Sequence, residues 1–137
     1  MNKINLFLIV CLAFVFNACD DFGETKQYFQ LGNKTSNKVI VEYQYSENEL
    51  RIIKVPANGS SVVWYVTYSL PDYTPESSSI ERELNKMTIY QVIGTDTTYL
   101  PKDEYISADK WIRSTSYDMS TTFAYYTLTV DSTMFTN

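Results

Sequence analysis

The sequence predicts an all-β domain, a small sandwich of antiparallel sheets with six to eight strands, set behind an amino-terminal leader. Two observations predict the domain and a third the leader. Twelve tyrosines with abundant Thr and Val supply the aromatic and branched side chains that fit a pleated, half-buried surface. Apolar residues recur at a period of two in several short runs, and turn residues separate those runs. An apolar run from Ile4 to Phe16 follows Lys3 and stops at Ala18-Cys19-Asp20-Asp21.

The leader comes first in chain order. Thirteen residues, all apolar but Asn5, span about 20 Å as a helix, short of the roughly 30 Å hydrocarbon layer. A positive start, a short apolar middle and a small residue at the cut describe a signal peptide over residues 1–18. Cys11 lies inside the discarded segment, so Cys19 is expected as the one thiol of the exported protein, with no disulfide partner. Residues 19–26 read as a polar, acidic tether, and 27–137 as the folded domain.

Within that domain, "QYFQLGN" (27–33) predicts the first strand, ended by a Gly-Asn turn. "VIVEYQY" (39–45) alternates Val39, Val41, Tyr43 and Tyr45 against Ile40, Glu42 and Gln44, the pattern of a sheet with one face buried. "ELRIIKV" (49–55) follows closely enough for an antiparallel hairpin, and Pro56-Ala57-Asn58-Gly59 forces a reversal. In "SSVVWYVTY" (60–68), Val62, Trp64, Val66 and Tyr68 oppose Val63 and Tyr65. Apolar residues on both phases predict a central strand covered on both sides.

"SLPDYTPESSS" (69–79) carries two prolines and four serines and belongs on the surface. "IERELNKM" admits two readings. Ser78 and Glu81 have capping-box spacing, and Ile80, Leu84 and Met87 recur at helical intervals; the alternative is an extended lead into the strand "MTIYQVI" (87–93). Residues 94–105 read as loop, Asp109 to Arg113 as the start of a short element, and "FAYYTLTV" (123–130) as the closing strand with Ala124, Tyr126, Leu128 and Val130 on one face. The sum is an immunoglobulin-like sandwich.

Charge and composition exclude several function classes. Removal of residues 1–18 leaves 119 residues, one domain's worth, with ten basic against sixteen acidic side chains. That balance disfavours phosphate backbones, so no nucleic-acid partner is expected. The chain has no histidine, which removes the usual acid–base partner of Ser and Cys nucleophiles and the commonest zinc ligand. Its four glycines, at 23, 32, 59 and 94, form no phosphate-cradling loop. No cofactor and no enzymatic activity are expected. Asp103, Glu104 and Asp109 stand near one another in sequence; they are read chiefly as solvated loop carboxylates, with calcium binding or a catalytic carboxylate pair as the alternatives.

Aromatic residues offer a second source of function. Trp64, Tyr65, Tyr68, Tyr73, Tyr99, Tyr105 and Trp111 exceed what one small core needs, and exposed rings serve sugar-binding and protein-binding faces. Trp64 and Trp111 are expected to be mainly core, whereas Tyr73 and Tyr99 sit in polar loops.

The motif Phe16-Asn17-Ala18-Cys19 resembles a bacterial lipobox, in which cleavage follows Ala18 and Cys19 is acylated. With "LGNKTSNKVIVEYQY" and "DKWIRSTSYDMSTTFAYYTLTVDSTMF", it makes the chain similar to the small lipoproteins of Bacteroidota. The resemblance implies a β-sandwich on the outer membrane with no assigned chemistry. It also implies that Asp20 and Asp21 act as an acidic export signal to the cell surface, and that Asp96-Thr97-Thr98 and Asp131-Ser132-Thr133 are O-glycosylation acceptors at Thr97 and Ser132. In enterobacteria an Asp after the acylated cysteine would instead mean retention at the inner membrane. The expected function is a membrane-anchored, non-enzymatic envelope module whose loops 69–79 and 94–108 meet a protein or glycan. The alternative is a structural or assembly subunit of an envelope complex or fimbria.

Overall fold

The computed structural model describes residues 23–136; the leader, Cys19, Asp20 and Asp21 lie outside them. Strand β1 (Glu24–Asn33) buries Thr25, Gln27, Phe29, Leu31 and Asn33 and turns the residues between them outward. β8 (Thr121–Val130) does the same with Thr122, Ala124, Tyr126, Leu128 and Val130. Both follow from the pleat, which sends successive side chains to opposite faces.

Eight strands make two four-stranded sheets packed face to face, as the composition and periodicity predict. One sheet has the order β4 (Gly59–Tyr68), β1, β8, β7 (Ile112–Asp118); the other has β3 (Glu49–Val55), β2 (Val39–Ser46), β5 (Met87–Ile93), β6 (Asp96–Tyr99). Neighbouring strands pair antiparallel in every case but one: β1 and β8 run parallel, Glu24 opposite Thr121 through Asn33 opposite Val130. The core between the sheets is one cluster that includes Phe29, Leu31, Val39, Val41, Val55, Ile89, Trp111 and Leu128. Phe29 is its centre. Its ring stacks on Tyr126 at 4.7 Å and 4°, packs against Trp64 at 4.5 Å and meets Trp111 edge-on at 5.6 Å.

Several expectations change in contact with the fold. β1 starts at Glu24, three residues ahead of the expected domain boundary, with Thr25 fully buried. Gly23 already lies against the domain: a Cβ there would stand 2.6 Å from the Ser120 carbonyl oxygen. β4 is an edge strand and not a central one. Its two apolar phases have another cause, a bulge. Phe29 pairs with Trp64 but Gln30 pairs with Val62, so Val63 is the extra residue, and the inward phase passes from Ser61 and Val63 to Trp64, Val66 and Tyr68.

Helix α1 (Ser77–Leu84) adopts the helical reading of its segment and buries Ile80 and Leu84. The capping box does not form: Glu76 is the N-cap, and its side chain makes no capping hydrogen bond. Part of the expected loop 94–105 is strand, because Gly94, at φ 63°, makes the tight turn that folds β6 back on β5. Short 3₁₀ turns follow at Lys102–Glu104 and Ala108–Lys110, and another at Ser132–Met134.

The segment 69–76 does lie on the surface, yet it is fastened from below. The Thr25 hydroxyl donates to the Leu70 carbonyl at 2.7 Å and accepts from the Tyr73 N–H at 3.0 Å. The Gln27 amide donates to the Tyr73 carbonyl at 2.9 Å, and the Thr122 hydroxyl donates to Asp72 at 2.9 Å. Buried Thr25 and Thr122, through their hydroxyls, and buried Gln27, through its amide N–H alone, thus hold this loop across one end of the sandwich. At another end Asn33 gathers the chain: its amide donates to the carbonyls of Asn37 and Pro56 at 2.8 and 3.0 Å, and its oxygen accepts from the Thr35 N–H at 2.9 Å.

Candidate functional site

The free edges of the two sheets, β3 and β4, lie side by side without pairing. Between them runs an open groove made of two adjoining hollows of about 480 and about 500 Å³. Tyr43, Tyr45, Trp64, Tyr65 and Val66 line both. Arg51, Ile53, Val62 and Val63 complete the first; Tyr68 and helix α1, through Ile80, Arg82 and Glu83, close the second with Lys86.

Local structure explains each wall. Arg51 pairs with Tyr43 and Ile53 with Val41, so Arg51 occupies the inward phase of β3, and Tyr45 continues the inward phase of β2. Tyr43 is still buried, whereas Tyr45 is 51% exposed, which marks where the sheets part. On the opposite wall the bulge at Val63 turns Trp64 inward beside it. Trp64 rests on Phe29 and is half-buried, and Tyr65 next to it is 64% exposed.

Charge is arranged on this aromatic frame. The Arg51 guanidinium lies 4.2 Å from the centre of the Tyr45 ring, a cation–π contact, and pairs with Glu49 at 2.9 Å. Glu83 accepts from the Tyr43 hydroxyl at 2.9 Å and from the Lys86 ammonium at 2.7 Å, with Arg82 at 3.6 Å. Burial alone would raise the Glu83 pKa, but these donors and charges outweigh it and hold the carboxyl below its usual range. Burial, seconded by the same Glu83 contact, pushes the Tyr43 phenol well up, so Tyr43 is a neutral donor at physiological pH. Burial also raises Tyr68. Among the lining side chains, three cations face one carboxylate, in a chain whose acidic residues outnumber its basic ones sixteen to eleven.

From Tyr65 the aromatic surface turns the edge onto the outer face of the sheet. Tyr65, Tyr28 and Tyr125 form a ladder across β4, β1 and β8, with centroids 6.3 and 5.4 Å apart and planes within 25°, the offset stacking that aromatic rings prefer. Lys26 stands 5.9 Å from the Phe123 ring beside it.

The residues singled out from the sequence are dispersed. Thr97 is exposed on β6, and Ser132 is exposed at the start of the last 3₁₀ turn. The carboxylate of Asp131 is taken up by its own turn, accepting from the Thr133 N–H at 2.9 Å and the Thr133 hydroxyl at 2.5 Å. Asp103 and Asp109 face solvent, and Glu104 approaches Lys110 at 3.9 Å. Among the described residues, no three His, Cys, Asp or Glu side chains are grouped as a cation would need. Trp111 is core, its indole N–H donating to the Tyr105 carbonyl at 2.8 Å. Tyr105 is buried too, Tyr73 leans on Tyr68 at 4.4 Å, and Tyr99 is half exposed beside Tyr90.

Sequence reasoning missed Tyr45, Arg51, Arg82 and Lys86. No sequence signal marked Arg51, because Glu49, Ile53 and Val55 on its own phase of β3 are no more apolar than Leu50, Ile52 and Lys54 on the other, and only the pairing with β2 shows which phase faces inward. Compared with known protein families, curated proteins and solved structures, the chain gives no match.

Proposed function

We propose that this protein is a non-enzymatic binding module of the bacterial cell envelope, held to a membrane by acylation of Cys19, that takes a glycan into the groove between β3 and β4. The single observation behind the ligand is the set of four exposed or half-buried aromatic residues, Tyr45, Trp64, Tyr65 and Tyr68, along an open groove floored by buried Tyr43. Sugar rings present flat C–H faces that pack on such rings, and their hydroxyls suit a rim of charged and amide groups. The bulge in β4 supports a glycan over an added peptide strand, because it breaks the regular row of backbone donors and acceptors on that edge. Loop 69–76 belongs to the scaffold in this reading, since buried hydrogen bonds fasten it.

The anchor rests on the sequence alone. A lone exported cysteine after a small residue suits acylation, and two or three acyl chains at about 0.8 kcal/mol per buried methylene hold a protein durably to a bilayer. No helix among the described residues is long and apolar enough to cross a membrane. Mass spectrometry of the purified protein tests the anchor: a diacyl or triacyl Cys19 at the new amino terminus is expected, and a free thiol or retained leader refutes it. A glycan array probed with the full chain in detergent tests the ligand. Binding lost on Tyr65→Ala is expected; no glycan retained refutes it.

A second reading, a structural subunit of an envelope assembly, has its own observation. β7 is a regular edge strand of seven residues, exposed along its whole length and without proline or bulge, open to an added strand from a partner. Cross-linking in cells separates the two: a stoichiometric protein partner joined through residues 112–118 favours assembly.

A further inference from the structure

The charges on the groove select among glycans. Arg51, Arg82 and Lys86 mark both ends of the aromatic floor, Arg51 in the hollow under β3 and the other two at the helix end. Glu83 is the one carboxylate among the lining side chains and is already committed to Tyr43 and Lys86. Arg82 is free to turn outward, with 72% of its side chain exposed and only a 3.6 Å approach to Glu83. Arg51 is paired with Glu49 at 2.9 Å and Lys86 with Glu83 at 2.7 Å, so three cations meet two carboxylates and Arg82, the least closely paired, is the charge that a neutral chain would leave without use. An acidic peptide would match the charges but leave the rings of Trp64 and Tyr65 idle, and it would meet a bulged edge instead of a strand template.

Resting on the glycan reading above, we infer that the groove binds an acidic polysaccharide, its sugar rings against Trp64 and Tyr65 and its carboxylates toward Arg51, Arg82 and Lys86. Recognition is then electrostatic at both ends and apolar between them, so affinity depends on salt as well as on the rings.

The test uses the full chain in detergent with three probes: polygalacturonate, neutral galactan and polyglutamate. Polygalacturonate is expected to bind most tightly, and to weaken steeply when salt rises from about 0.1 M to about 1 M, which shortens the screening length from about 10 Å to about 3 Å. Arg82→Glu, an exposed change that the fold tolerates, is expected to weaken it by about fivefold or more, the upper range for an exposed ion pair. Tyr65→Ala is expected to weaken it at any salt, and Asp103→Asn, away from the groove, to leave it unchanged. Equal, salt-independent binding of galactan and polygalacturonate overturns the acidic preference while keeping glycan binding. Equal binding of polyglutamate, unaffected by Tyr65→Ala, overturns it in favour of an acidic peptide. Retention of none of the three overturns it, while the wider glycan array still judges the broader reading.

Discussion

The Tyr43 hydroxyl donates to Glu83 across 2.9 Å and so ties strand β2 to helix α1 at the floor of the groove. Glu83 keeps only 17% of its side chain exposed and holds its proton less readily than a free carboxyl. A folded-state pKa below the unfolded one, about 4.3, contributes stability that is complete above the unfolded value and lost as pH falls through the folded one. Urea unfolding from pH 7 down to pH 3 should therefore show a falling midpoint, and Glu83→Gln should flatten part of that slope. An unchanged slope would mean that the pair contributes nothing.

Alkaline conditions probe a different tyrosine. Burial raises the Tyr105 phenol to about 12, and its hydroxyl donates to the Met87 carbonyl at 2.8 Å. The unfolded chain ionises near 10, so this contribution is intact below about pH 10 and lost as pH rises toward the folded value. Tyr105→Phe should be less stable at neutral pH by about 1 kcal/mol and should lose less between pH 9 and pH 12, as followed by chemical denaturation.

Phe29 should be the costliest side chain to truncate. It is fully buried and touches Trp64, Trp111 and Tyr126. Phe29→Ala is expected to cost about 3–5 kcal/mol and to release Trp64, raising its accessibility to a fluorescence quencher. Loss of stability without a change in Trp64 would detach the core from the groove.

Asn33 offers a polar counterpart. Replacing it with Ala strips the Asn37 and Pro56 carbonyls of a donor and the Thr35 N–H of its acceptor. A cost of about 1–3 kcal/mol is expected, with faster amide exchange at Thr35. Exchange at residues 69–76, held by other groups, should not change.

Much of the fold was legible from residues because 39–45 and 123–130 each keep one phase apolar throughout and the turns between runs carry their own chemistry. The sandwich, the β2–β3 hairpin and the 87–93 strand follow from that. The bulge in β4 was not legible: two apolar phases look alike whether a strand is covered on both faces or carries one extra residue, and only the partner, Phe29 beside Gln30, tells them apart. The parallel pairing of β1 with β8 likewise depends on which distant strand arrives alongside, which local periodicity cannot encode. The groove was half legible. Trp64, Tyr65 and Tyr68 stood out as aromatic surplus, but Tyr45 read as one more core position, because a period of two says which face a residue takes and not where the opposite sheet ends.

The early start of β1 bears on how the molecule is mounted. Five backbone steps separate Cys19 from Glu24, at most about 17 Å of leash. Were Cys19 acylated as proposed, that leash would keep the end of the domain carrying the Met119 tip and Leu70, both exposed, within about 17 Å of the lipid. An anchor that short would restrict orientation as well as position, turning the domain into a stubby peg that holds any captured glycan close to the bilayer.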